Sequence, residues 1–170
     1  MFFSFMIVKL FYTMRFPVRL LLMAPGPLKF PFVSQGIDFY QVRVKPFLQF
    51  ETLFPKVKAT GSPGDRKQKE AETLMKHIPP GSYVITLDEK GQILNSPQLS
   101  EFLGQLFTQR RKIVVIAGGP DGLADRILMG ADFRLSLSAL TLNHEIALLV
   151  FCEALYRSLT ILSGSPYHRP

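Results

Sequence analysis

Cysteine is nearly absent from this chain: Cys152, inside an apolar run, is the one thiol among 170 residues. Neither a disulfide framework nor a thiolate metal cluster is possible within one copy, and a reducing compartment fits. Histidine is almost as scarce, because His77, His144 and His168 stand far apart with no HxH or HxxxH spacing. No metal is expected. Long apolar runs are missing too. MFFSFMIVKLFYTMRFPVRLLLMA is broken by Lys9, Arg15, Pro17 and Arg19, well short of the roughly 20 apolar residues of a spanning helix. Its basic residues follow the first apolar run, and no small-x-small site closes it, so a secretory signal is not expected. The expectation is that residues 1–13 are an extension of a cytoplasmic protein without a membrane partner. A single domain then runs over residues 14–170, opening with a strand at Val18.

Chemical signatures are lacking as well. GxGxxG, GxxxxGK[ST] and GxSxG do not occur, which disfavours dinucleotides, triphosphates and Ser-His-Asp hydrolysis. Acid is in short supply: 13 Asp and Glu face 20 Lys and Arg, a formal charge of +7. That excess favours a polyanionic partner such as RNA or anionic lipid. Basic residues gather at Lys56, Lys58, Arg66, Lys67 and Lys69, and again at Arg110, Arg111 and Lys112. Each group reads either as a phosphate track or as a solvated helix face.

What is present is strand alternating with helix. The runs Val18 to Met23, Phe47 to Phe54, Tyr83 to Leu87, Ile113 to Ala117 and Phe133 to Leu137 are short, β-rich and bounded by turn formers. Several are apolar at consecutive positions, as in strands buried on both faces. Between them, SPQLSEFLGQLFTQRR places Leu99, Phe102, Leu103, Leu106 and Phe107 on one helical face, with Ser96 as the expected cap. Asp65 with Gln68 resembles a capping box for a basic helix through Met75, and shorter helices are expected near Ser34 and Asp121. The pattern predicts an α/β fold with a mostly parallel sheet flanked by helices. A last helix, from about His144 to Leu162, carries an unbroken apolar run from Ile146 to Cys152. Such a helix is either central to one copy or shared with a second.

Three segments carry the chemistry. AGGPDG, Ala117 to Gly122, follows a buried strand at the carboxyl end of the sheet, where α/β ligands bind. Alone it is equally a plain turn. Ser138, Ala139, Leu140, Thr141, Leu142 and Asn143 alternate small polar with aliphatic groups, suited to a cationic nucleoside without phosphate. Asn143 or Thr141 is equally a cap for the last helix. At the terminus, Tyr167, His168 and Arg169 offer stacking, proton transfer and phosphate contact, or are equally a frayed end of chance composition, and Glu153 and Arg157 stand four apart as an ion pair would.

The glycine loop, LSLSALTLNHE, EALYRSLTI and SPYHRP, in that order, resemble the RlmH family of SPOUT methyltransferases. TLDEKG at Thr86 to Gly91 and the helix start at Pro97 extend the likeness toward the N-terminus. The resemblance implies S-adenosylmethionine-dependent methylation of N3 of a pseudouridine in helix 69 of 23S rRNA, by a homodimer acting on the assembled ribosome. It implies a SPOUT-type sheet with a C-terminal trefoil knot, and a cofactor pocket of Leu87, Gly118, Gly119 and Ser138 to Asn143. The implied catalytic residues are His168, Arg169, Tyr167 and Arg157. Two positions depart from the family: Asn143 stands for the proline usual before His144, and Pro170 for a charged last residue. The alternatives from other classes are a non-catalytic RNA-binding or ribosome-assembly protein, and a nucleotide-dependent enzyme on a Rossmann-like sheet.

Overall fold

The computed structural model describes residues 15–58 and 60–169. The expected extension, residues 1–13, lies outside the described residues, as does Pro170. Among the described residues, five strands form one parallel sheet: β1 (Arg19–Met23), β2 (Gln49–Leu53), β3 (Tyr83–Ile93), β4 (Lys112–Ala117) and β5 (Phe133–Ser136). Their spatial order is β2-β1-β4-β3-β5. The helices are α1 (Pro31–Val44), α2 (Pro63–Met75), α3 (Ser96–Gln109), α4 (Asp125–Met129) and α5 (His144–Leu162).

Consecutive apolar residues in β1 and β4 follow from burial on both faces. Leu20, Leu22, Ile113, Val115 and Ala117 join one core with residues of α1, α3 and α5. Met23, Val114 and Ile116 join a second with Ala71 and Leu74 of α2 and Ile127 of α4. The pleat sends alternate side chains to opposite sides. Three helices therefore cover one face and two the other, and α1 and α3 both pack on α5.

Several local expectations shift when the side chains are placed. The capping box of α2 is Ser62 with Asp65, and that of α3 is Asn95 with Gln98, so Ser96 is already inside its helix. In each case a short polar side chain one to three residues upstream reaches the free N–H groups first. The helix foreseen near Ser34 begins at Pro31, whose fixed φ suits a first turn. The one foreseen near Asp121 begins only at Asp125. Gly119, Pro120, Asp121 and Gly122 instead make a hydrogen-bonded turn, the Gly122 N–H donating to the Gly119 carbonyl at 3.0 Å. Strand β3 outruns its expected end at Leu87. Residues 88–91 leave the ladder, and pairing with β5 resumes at Gln92. A Cβ on Gly91 would lie 2.6 Å from the Arg134 carbonyl oxygen, so only glycine fits there.

Candidate active site

The carboxyl ends of β3, β4 and β5 open into a cleft of about 680 Å³, within the range of small-ligand pockets. Of the nine residues foreseen for a cofactor, Leu87, Gly118, Gly119, Ser138, Leu140, Thr141, Leu142 and Asn143 lie on its walls. Ala139 is exposed and does not line it. The glycines have separate reasons. A Cβ on Gly118 would sit 2.5 Å from the Gly122 backbone, whereas one on Gly119 would meet the carboxylate end of Glu70 at 3.0 Å. Gly118 is thus locked by backbone and Gly119 by a movable side chain. Glu70 itself is pushed toward protonation by burial and by nearby Asp121, against the pull of the Gly119 N–H.

Asn143 settles the capping alternative: its side-chain oxygen accepts from the Glu145 N–H at 2.9 Å. A proline at this position would have no side-chain acceptor to do this. Ser138 braces the same loop, accepting from the Leu140 N–H at 2.9 Å. Thr141 donates to Glu89 across the cleft mouth at 3.1 Å, tying the loop to the β3 bulge.

Sequence reasoning missed the charged lining. Asp88, Glu89, Asp121, Glu145, His144 and Lys29 all face the cleft. Asp88 pairs with Arg134, and Asp121 with Arg66 through two hydrogen bonds of 2.7 and 3.0 Å. Glu145 is 2% exposed, and its two oxygens accept the backbone N–H groups of Lys29 and Phe30 at 2.8 and 2.9 Å. An acid in the first helical turn is visible in the sequence; that a loop 115 residues away supplies its donors is not. Burial holds the His144 imidazole below its ordinary value, Glu145 opposing and Lys29 reinforcing the shift. Among the described residues no three His, Cys, Asp or Glu converge as a metal site. Cys152 is buried and its thiol is pushed up to about 12, which leaves it inert as a nucleophile.

The four residues foreseen for catalysis sit elsewhere. Arg157, Tyr167 and His168 meet around Glu153 on the later turns of α5. Arg157 donates to Glu153 at 3.1 and 2.5 Å, the Tyr167 hydroxyl donates to the same oxygen at 3.1 Å, and Arg157 Nη1 lies 3.4 Å from His168 Nδ1. The Arg157 guanidinium also lies 4.9 Å from the Tyr167 ring centroid. Burial, then the Tyr40 hydroxyl and Glu153, push the Tyr167 phenol upward, so it stays protonated. Arg169 is exposed. None of the four lines the cleft, whose last α5 residue is Ala147. From Ala147 to Arg157 the helix rises ~15 Å.

Known proteins give this arrangement a family. The family model described as "Predicted SPOUT methyltransferase" matches residues 18–168. A ribosomal RNA large subunit methyltransferase H from Halothermothrix orenii is 34% identical over 161 residues, covering 89% of this chain and 100% of the relative. Another from Parabacteroides distasonis is 35% identical, over 79% of this chain and 88% of the relative. Among solved structures, the tRNA (m1G37) methyltransferase from Aquifex aeolicus superposes with a TM-score of 0.53 at 21% identity, over 91% of this chain and 77% of that one. That last likeness speaks for the fold alone. With a parallel sheet, a glycine loop at its carboxyl end and relatives matched along most of their length, the chain belongs to the SPOUT methyltransferase family, among the ribosomal RNA large subunit methyltransferases H.

Proposed function

We propose that this protein uses S-adenosylmethionine to methylate N3 of a pseudouridine in helix 69 of 23S rRNA, as a cytoplasmic homodimer acting on assembled ribosomes. The observation that carries the reading is the chemistry of the cleft: four carboxylates, Asp88, Glu89, Asp121 and Glu145, against the single lysine Lys29, with leucines between. Asp88 and Asp121 are offset by Arg134 and Arg66 and Glu145 is bound by backbone N–H groups, so Glu89 carries the remaining negative charge and the wall suits a cation better than a phosphate. The residues fit the cofactor: Leu87, Leu140 and Leu142 offer apolar surface for an adenine, and Gly118 and Gly119 admit close backbone approach. S-adenosylmethionine, when bound, supplies a methyl group already activated on a sulfonium. A pseudouridine N3 carries a proton, so the chain has to position the ring and take that proton away. His168 accepts it, Tyr167 orients the base, and Arg169 faces phosphate or the developing anion. The Arg157 guanidinium is occupied by Glu153, so its part is to hold the tail in shape.

The homodimer follows from reach. A tail docked on Glu153 and Arg157, ~9–15 Å along α5 from its own cleft, is better placed to serve the cleft of a partner. The surface for that partner is apolar: Phe32, Phe39 and Val42 are 56, 48 and 71% exposed on α1, which packs beside α5. Patches of this kind mark association sites. The trefoil knot belongs to the same reading, supported by the glycine loop and the Ser138 to Asn143 loop facing one cleft, as does the expectation that residues 14–170 work as one unit.

Labelled methyl transfer to 70S ribosomes tests the reading, compared with naked 23S rRNA and with ribosomes carrying uridine at the target. Transfer to the first substrate alone is expected, and none to any of them sinks the proposal. Mixing a cleft-defective with a tail-defective protomer is expected to restore activity.

A further inference from the structure

The charges around the cleft do not all find partners within it. Asp88 is matched by Arg134, Asp121 by Arg66, and the Glu145 oxygens by two backbone N–H groups, while Glu89 accepts the Thr141 hydroxyl and, among the described residues, joins none of the ion pairs. The cation left over is Lys29. It is exposed, and among the described residues its ammonium joins none of the ion pairs. Among the described residues it is also the one lysine or arginine on the cleft walls. Its backbone N–H is held by Glu145 in the first turn of α5, at 2.8 Å. Resting on the cofactor reading above, we infer that Lys29 binds the carboxylate of the amino-acid arm of S-adenosylmethionine, and that Glu145 is the positioning residue that aims it.

Charge balance supports the contact. The ligand brings a sulfonium, an ammonium and a carboxylate into a cleft with four acidic side chains. The two positive groups are welcome there. Asp88 and Asp121 are offset by their arginines, but Glu89 is not, so the carboxylate meets no free positive charge on the wall other than Lys29. Arg66 and Arg134 already hold carboxylates of the protein, and taking either would leave Asp121 or Asp88 unmatched. Lys29 has nothing to give up. It does have a flexible stem, and ordering that stem costs affinity unless its base is fixed. Glu145 fixes the base: one oxygen holds the Lys29 N–H and the other the Phe30 N–H, pinning the approach to α1 against α5. A carboxylate whose two oxygens are both satisfied by backbone, at 2% exposure, holds a loop more tightly than a solvated one does.

Two ligands separate the contact from everything else. Decarboxylated S-adenosylmethionine keeps the adenosine, the sulfonium and the amine and lacks only the carboxylate. By calorimetry on the full chain, wild type is expected to bind S-adenosylmethionine more tightly than the decarboxylated form. Lys29→Met is expected to weaken the first about tenfold and leave the second unchanged or slightly tighter, while Lys29→Arg recovers most of the loss. Equal losses for both ligands, or no loss for either, overturn the contact while leaving the cofactor reading intact. Wild-type protein that binds neither ligand overturns the cofactor reading itself. For Glu145 the test is a double-mutant cycle. In a Glu145→Gln background Lys29→Met is expected to cost little, and a full tenfold loss there means that Glu145 is structural only. Should Glu145→Gln fail to fold, Asn143→Ala, which loosens the same helix start, replaces it in the cycle with the same two outcomes.

Discussion

The two ends of α5 solve the same problem in opposite ways. At its start Glu145 is buried and held by backbone N–H groups from the α1 approach. In its later turns Glu153 has a side chain 29% exposed and is held by the side chains of Arg157 and Tyr167. Removing the first acid leaves two amides that nothing else satisfies. Removing the second leaves groups that water can reach. The cleft end is therefore built to stay put and the tail end to be reshaped, which suits the proposed roles of the first as a cofactor pocket and of the second as a tail that meets RNA.

The strongest challenge to that contrast is Gly118→Val. Branched bulk 2.5 Å from the Gly122 backbone is expected to abolish S-adenosylmethionine binding by calorimetry, whereas Gly119→Ala, which only displaces Glu70, is expected to be milder. Equal effects would mean that the loop is not held as described. His168→Ala comes next: single-turnover transfer is expected to slow by about 10²-fold or more with cofactor affinity unchanged, and unchanged rates remove His168 from the mechanism. For stability the paired substitutions are Glu145→Ala and Glu153→Ala. The first is expected to cost ~2 kcal/mol, since two part-buried N–H groups lose their acceptor, and the second less than ~1 kcal/mol, both read from denaturant midpoints. Equal costs would erase the difference between the two ends.

The smallest effect concerns pH. His144 titrates below its ordinary 6.5 because burial disfavours the charged ring. The unfolded chain thus takes up the proton first as pH falls, so the contribution of His144 is complete above about pH 6.5 and is lost on descending through the lower folded value. A His144→Gln variant is expected to show a shallower fall in melting temperature across that window.

Much of the framework is visible in local pattern. Double-sided burial of Val114 and Val115, the Leu99 to Phe107 face of α3 and the limits of α5 follow from period and turn residues. The glycine loop and the Ser138 to Asn143 loop were also legible, because glycine, proline and cap residues act over a few positions. The β3 bulge was not. Its reason is Gly91 against the Arg134 backbone, 43 residues away in the chain. Nor was the charged lining, since Asp88 and Arg134, or Lys29 and Glu145, meet only after the sheet has formed.

By itself, then, the sequence determined the alternation of strand and helix, the two loops at the sheet's carboxyl end and the aromatic-basic tail, because each rests on contacts within a turn or two of chain. Only the tertiary structure decided that Lys29 lines the cleft without an ion pair among the described residues, and that the tail folds back onto Glu153 rather than into its own cleft. Charge pairing and reach depend on distances between parts of the chain that the order of residues does not specify.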